Sequence, residues 1–530
     1  VSQKINKVKK IGILVTLIFV FSGINAQNFA IKWGLFERQN GSIINVYPAS
    51  ATDFYTLRYV GTAGIGNYKL TANRGLETIL KTKIAMKVET GMASLEDVVV
   101  VQGRIFAFLS NKREKIRHLF LQEYSRNLEP VGTSIELTSY EYDRAFNKGD
   151  FKVVVSKNQA YFAVIYDIPG KLQQEDRYGF RVYDLNLTVM SKGDFQLPFS
   201  PKLSVVNEHH LTNTGEYFVA VTEYSTYNNL DFIKSFNSYK ALHVYHVSED
   251  KLDDFIIELD GKRVESVKLN SNDDRVFSAT GLYGDRLISG AQGAFFMRID
   301  YENKQIKDQG FQPFGVDILV EGESKMASKS TRFMANRMNL SPAAVNYMLR
   351  DITLLADGSI VGSMEEYYTQ VSQTVDKYGN TTTTTTYNYD DIILFKISAL
   401  GTFDWLKKVR KKQSSINDFG KYSSYAEFLM GDKLYLLFND NKNNYDDSKS
   451  FIKDRKYLSN ATFRGKRNVL ACAEIDLSTG EITRKVYADY KQLKSTLIPK
   501  MTQLNTLSGD IILYAIQKRK ERFGKITLND

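Results

Sequence analysis

Along this chain an apolar segment, a tight polar turn and a second, strongly apolar segment recur. The unit is clearest at residues 97–109 (DVVVVQGRIFAFL), 153–166 (VVVSKNQAYFAVIY), 211–221 (LTNTGEYFVAV) and 267–282 (VKLNSNDDRVFSATGL). It returns at 352–364, 428–438 (FLMGDKLYLLF) and 504–516 (LNTLSGDIILYAI), and an eighth turn is expected at Asn40-Gly41. Gly, Asn and Asp at these turns accept the positive φ that short hairpins require. The segment after each turn is apolar at consecutive positions, so both faces of that strand need cover.

A third and a fourth strand follow each pair, as in 389–409 (YDDIILFKISALGTFDWLKKV), and the set repeats every 55 to 85 residues. Four-stranded antiparallel units at such spacing describe the blades of an all-β propeller. Residues 500–528 supply only three strands, and 30–36 are expected to add the fourth, closing a ring between the chain ends. Eight blades are expected, with seven as the alternative count because 27–86 is the least regular stretch. Tandem β-sandwiches are the structural alternative, disfavoured because the chain has only 8 Pro and no linker-like stretch.

The phrase at 351–409 carries Asp357, Gly358, Lys396, Gly401 and Trp405. It resembles the secreted bacterial propeller repeats built from an Asp-Gly turn, an apolar strand, a Lys-bearing strand and a final Gly-x-x-x-Trp strand. The resemblance covers one blade well, and elsewhere the Trp is missing. It implies a fold and no particular activity, since such repeats serve unrelated functions.

Strand counting also places the insertions. Residues 168–178, 224–239, 367–389 and 439–466 fall between second and third strands, and 316–346 falls between blades. In a propeller these positions share one face, where repeat proteins commonly carry binding loops. A short helix is expected from Ser341-Pro342 through Leu349, preceded by a Met-rich stripe at Met326, Phe333, Met334 and Met338. Tyr presents a ring and a hydroxyl at low entropic cost, which suits recognition of a peptide or sugar surface. The candidate ligand-binding residues are therefore Tyr224, Tyr227, Tyr239, Tyr368, Tyr387, Tyr389, Asp390, Tyr445, Arg455 and Tyr457.

Composition narrows the function classes. Residues 1–26 pair Lys4, Lys7, Lys9 and Lys10 with an apolar run at 11–21 and end on Ala26, a secretory leader pattern too short to span a membrane. Residues 27–530 are then expected to form one propeller domain with inserted loops at 316–346, 367–389 and 439–466, exported to the periplasm, the outer surface or the medium. Of 70 Lys and Arg, 4 lie in the leader, leaving 66 against 60 acids, a net of +6 that makes nucleic acid an unpromising partner. Cys472 is the sole cysteine and lies in an apolar run, where a buried small side chain is expected. No HExxH, GxSxG or Walker pattern occurs, the five His lack ligand spacing, and no cofactor or metal is expected. The run 439–447 (NDNKNNYDD) is rich in oxygen ligands but lacks the EF-hand glycine and terminal Glu. These features favour a non-enzymatic exported propeller or scaffold that binds a protein or glycan and is not an integral membrane protein. A polysaccharide hydrolase or lyase acting at the ring centre, and a structural part of a cell-envelope complex, are the alternatives.

Overall fold

The second strand of each repeat is buried almost end to end. Phe277–Asp285, Lys433–Asn441 and Ile511–Gln517 each expose little beyond a terminal residue. Such a strand needs a neighbouring sheet on both faces, and the computed structural model shows how that need is met. It describes residues 31–527, apart from 63–64, 143–148, 170–176, 226–237, 250, 260, 273–276, 287–289 and most of 322–345. The leader-like segment, Tyr227, the Met-rich stripe and Ser341-Pro342 lie outside the described residues.

Among the described residues, eight antiparallel sheets of four or more strands follow one another at 42–83, 94–141, 151–195, 204–257, 262–313, 347–416, 426–488 and 496–526, the last joined by 31–38. Each of the six four-stranded sheets runs in chain order from its first strand to its fourth. Eight apolar clusters fill the spaces between them, and each cluster draws its residues from two neighbouring sheets. Val98, Ile105 and Phe120 meet Tyr55 and Leu70 in one of them, and Leu282 and Phe296 meet Ile360 and Phe395 in another. The series returns on itself where Val46 and Phe54 of the 42–83 sheet pack against Ile512, Tyr514 and Phe523 of the last sheet. A cyclic series of face-to-face four-stranded meanders is a β-propeller.

The ring closes as expected. Ile31–Trp33 pairs with Lys520–Ile526, Ile31 opposite Ile526 and Trp33 opposite Gly524. Trp33 lies beneath the Arg522 guanidinium, 4.1 Å from the ring centroid. The turn at Asn40-Gly41 is a correction. Gly41 has positive φ, yet it connects the closing sheet to the next one. The hairpin of the 42–83 sheet turns instead at 49–52, where the Ala49 and Ser50 amides both donate to the Asp53 carbonyl. The expected helix through Leu349 is a second correction, because Tyr347–Leu354 is a strand that pairs with Ile360–Val375.

Five first strands carry a β-bulge at an equivalent place, leaving Ile44, Glu96, Asn207, Glu265 and Arg350 without a register partner. A bulge re-aims its extra side chain. Glu96 turns to Ser110, Asn207 to Thr222 (2.8 Å) and Arg350 to Glu365 (2.9 Å), so polar groups of the first strand are satisfied within their own sheet. Replacing Trp33 by Ala should lower stability by about 2 kcal/mol, since the closing strand loses its largest apolar contact. Urea denaturation measures this, and an unchanged midpoint would contradict the closure described here.

Candidate functional site

Among the described strands, the long connections begin and end where second strands run into third strands and where one sheet runs into the next. The connections after Ile168, Tyr224, Val375 and Asn441 join second to third strands, and 314–346, 410–425 and 489–502 join consecutive sheets. One of them is not a loop. The segment 367–389 continues both of its strands, Ile360–Val375 and Thr381–Ile397, into a hairpin arm paired up to Val375 opposite Thr381. Alternating Thr, Gln and Val suit a pleated ribbon, and Asp376 caps the tip by accepting from the Tyr378 and Asn380 amides. Val371, Val375 and Tyr378 on the arm are exposed. Gln413–Ile416 adds a third strand at its root.

A bulge between Glu365 and Tyr367 marks that root. Glu365 points inward, fully buried, and pairs with the equally buried Lys411 at 2.9 Å. It also accepts from Arg350 Nε (2.9 Å) and Ser424 Oγ (2.7 Å). Burial pushes its carboxyl up, but the Lys411 and Arg350 charges outweigh that and hold it below the usual carboxylate range. Lys411 Nζ donates onward to the Tyr389 carbonyl and to Gln413 Oε1. The pair thus ties the arm, the 410–425 crossing and the first strand of the sheet together.

Tyr389 is the hub of an aromatic and cationic cluster. Its buried ring lies 4.7 Å from Tyr367, and Lys500 Nζ sits 4.3 Å from its centroid and donates to its hydroxyl at 2.8 Å. Gly420, with φ +62°, packs against the same ring, where a Cβ would collide. Burial, with repulsion from Arg350, brings Lys500 down to about 8. On the other side of the bulge Glu366 lies near Asp390 and Asp391, and burial followed by those two charges pushes it up to about 7. Asp391 is neutralised by Lys408 at 3.2 Å, and Asp390 accepts from Tyr368 Oη at 3.4 Å.

The structure therefore gathers four of the sequence-predicted residues, Tyr368, Tyr387, Tyr389 and Asp390, around one root. Tyr387 lies 5.7 Å from the exposed ring of Phe419. Tyr445, Arg455 and Tyr457 form a second group on the 439–466 loop. Tyr445 is buried there, donating to Asp440 at 2.6 Å beneath Arg484, so the oxygen-rich 439–447 run is held by the fold itself. Arg455 braces the same loop through the Asn443 and Tyr457 carbonyls, and Tyr457 is exposed. Tyr224 and Tyr239 stand apart on the 204–257 sheet, and Tyr239 is a core residue, 4% exposed.

Arg350, Lys411, Ser424 and Lys500 come from distant segments and were not singled out from sequence. Glu365 was visible only as half of the adjacent pair Glu365-Glu366, for which a solvated loop position was expected, and it is instead fully buried on a strand. Cys472 is buried, and its thiol is pushed up to about 12. The His residues are held by neighbours, His209 on Tyr217 Oη, His210 on Ser271 Oγ, and His243 between Asp254 and Glu223.

A cavity of about 280 Å³ opens beside Tyr389, lined by Asp418, Phe419, Lys421, Lys500, Met501 and Tyr514. The opposite face holds a larger one, about 730 Å³, lined by carboxamides that are already engaged in locking neighbouring turns. There Gln102 N donates to Gln159 Oε1, Asn158 N to Asn213 Oδ1, and Asn505 Nδ2 to the Ser50 carbonyl. A groove of about 680 Å³ on the rim is bordered by Lys408 and Arg484, which are both paired.

No protein-family model matches the chain, and no curated protein matches it. Among solved structures it is similar to the WD40 domain of SCAP from fission yeast, with TM-score 0.40 and 9% identity over 95% of each chain. It is also similar to the polysaccharide lyase Uly1, with TM-score 0.34 and 11% identity over 84% of this chain and 93% of that one. A third likeness is to an α-L-arabinofuranosidase from Lactobacillus brevis, with TM-score 0.22 and 10% identity over 53% of this chain and 91% of that one. At these scores they carry no argument about activity.

Two substitutions test the site's physics. Lys411→Met leaves the buried Glu365 carboxylate with Arg350 as its remaining cationic partner and should cost about 3 kcal/mol, whereas Lys411→Met combined with Glu365→Leu should cost much less than the sum of the single changes in a denaturation cycle. For Glu366, raised from 4.5 to about 7, folding favours the neutral form, so stability falls as pH rises from 4.5 through 7 and the penalty is complete above that. Glu366→Gln should stabilise the protein by about 1–3 kcal/mol at pH 8 and leave it unchanged at pH 4. Equal effects at both pH values would refute the assignment.

Proposed function

We propose that this protein is an exported, non-enzymatic eight-bladed propeller of the secreted bacterial repeat type, and that it recognises a protein or glycan through its loop-bearing face. The observation that carries this reading is the one-sided elaboration. The hairpin arm, the 410–425 crossing and the 439–466 loop rise from adjoining sheets on one face and are braced against each other, with Arg410 donating to the Arg455 and Lys456 carbonyls. The opposite turns are short, and their side chains link blade to blade. Among the described residues no helix is long and apolar enough to cross a membrane. Retention in a cell-envelope complex is compatible with the same face serving as a docking surface.

A second reading, a polysaccharide hydrolase or lyase at the ring centre, is favoured by Glu427. It lies on the first strand Ala426–Met430, and burial, with Asp351 of the neighbouring first strand, pushes its carboxyl up to about 8. One of its oxygens has no hydrogen-bond partner among the described residues. A carboxyl kept neutral at pH 7 has the protonation state of a general acid.

Crosslinking capture from the native envelope, run with the intact protein and with a variant lacking 369–387, separates the readings. The expected result is a specific protein or glycan captured only by the intact chain. Capture unaffected by the deletion would remove the arm from the binding site. Turnover on a polysaccharide panel that disappears in Glu427→Gln would replace the binding reading with the enzymatic one.

A further inference from the structure

The cavity beside Tyr389 carries more positive charge than its surroundings neutralise. Lys421 and Lys500 both line it, and among the described residues neither ammonium has a carboxylate at ion-pairing distance. Lys500 is instead held by the Tyr389 hydroxyl and by the Gly420 carbonyl at 3.2 Å. The nearby acids are committed elsewhere. Asp418 accepts from Ser415 Oγ (2.6 Å) and the Gly420 amide (2.9 Å), and so shapes its own turn. Glu521 is paired with Arg58 at 2.6 Å and accepts from Tyr514 Oη. Behind Tyr389, Arg350 and Lys411 share the one carboxylate of Glu365. The acids nearest Lys421 are Glu521 and Asp418 and those nearest Lys500 are Glu365 and Asp418, and each is already engaged in bonds of its own.

Gln39 and Ser42 also border the cavity, and the remaining lining is apolar and aromatic. Ile43, Ile498 and Met501 contribute to the walls, and Phe419 stands at the rim with its ring 80% exposed. An unpaired cation pair with an open aromatic ring fits a ligand that offers a carboxylate and a flat apolar face together. A sugar acid within a glycan has both, the carboxylate to meet the ammonium groups and the axial C–H face to lie on the ring. An acidic peptide would meet the charges without needing the exposed ring.

We propose that this cavity binds a carboxylate-bearing residue of an acidic glycan, with Lys421 and Lys500 holding the carboxylate and Phe419 receiving the sugar face. This rests on the reading of the loop-bearing face as the recognition surface and names its ligand class. The buried hub behind the cavity keeps Lys500 in position.

The test is calorimetric titration with three probes, a galacturonate oligomer, its methyl-esterified neutral counterpart, and a glutamate oligomer. The galacturonate oligomer should bind, and the ester should bind at least about tenfold more weakly. Lys421→Met/Lys500→Met should lose at least about tenfold in affinity with the fold retained by circular dichroism, and Lys421→Met alone, which leaves the Lys500–Tyr389 bond in place, should lose part of it. Phe419→Ala, at a side chain too exposed to support the fold, should weaken the glycan and not the peptide. Because Lys500 titrates near 8, affinity should fall as pH rises past that value, and binding at higher pH should take up protons. No galacturonate binding, equal binding of the ester, or full affinity in the double variant overturns the proposal, and preferential binding of the glutamate oligomer replaces the glycan with an acidic peptide. If the double variant still captures the envelope partner while the arm deletion does not, this proposal fails and the broader reading stands. Capture by both leaves neither.

Discussion

Everything in this molecule follows from strands that have no solvent face. A second strand such as Lys433–Asn441, buried from Leu434 to Asn441, is stable only between two other sheets, and each of those sheets carries a second strand with the same demand. An open stack would leave its two end sheets uncovered. Joining Ile31–Trp33 to Lys520–Ile526 removes the ends, and the apolar clusters then run without a break around the ring. No disulfide contributes, since the sole cysteine is itself a core residue. Some of the described strand-one to strand-two turns serve the same closure, hooking a neighbour through a carboxamide at Gln159, Asn213 and Asn505, and Arg298 on a third strand adds guanidinium bonds to the Gly358, Ser398 and Ala399 carbonyls.

Closure leaves freedom in few places. Side chains between sheets are committed to packing, and the turn face is committed to linking neighbours. Variation accumulates on the face where second strands run into third strands, and there it needs its own support. The Glu365–Lys411 pair supplies it. Two fully buried charges are stable only while Arg350, Ser424, Gln413 and the Tyr389 carbonyl satisfy their remaining valences, so the arm's root must keep one geometry. The rigid root in turn presents Phe419, Lys421 and Lys500 around a defined cavity.

The architecture was legible because its signal is local and repeated. Turns such as Gln102-Gly103 and Ser508-Gly509 announce hairpins, and counting strands between them assigns each insertion to a face. The exception at Asn40-Gly41 arose because a positive-φ glycine marks any tight reversal, including one between sheets. The site was legible only in part. Tyr387 and Tyr389 were visible as members of a tyrosine-rich insertion, but its strand character was hidden by the habit of reading Thr, Gln and Ser as loop formers. Tyr239 and Tyr445 carry the same ring and belong to the core, a distinction made by neighbours that sequence does not order. The cations at the hub come from 350, 411 and 500, and no spacing rule connects them. The recurring first-strand bulge has no single-residue signature, because Ile44, Glu96, Asn207, Glu265 and Arg350 mix apolar, acidic, amide and basic side chains.

The account stands most directly on whether recognition occurs at the braced face. Amide hydrogen exchange of the whole chain, with and without a galacturonate oligomer, measures this residue by residue. The predicted result is slowed exchange confined to 411–425 and to the arm's root at 365–368 and 387–391, with the turns at 49–52, 102–103 and 157–159 unchanged. Protection of those opposite turns, with none at the root, would contradict it.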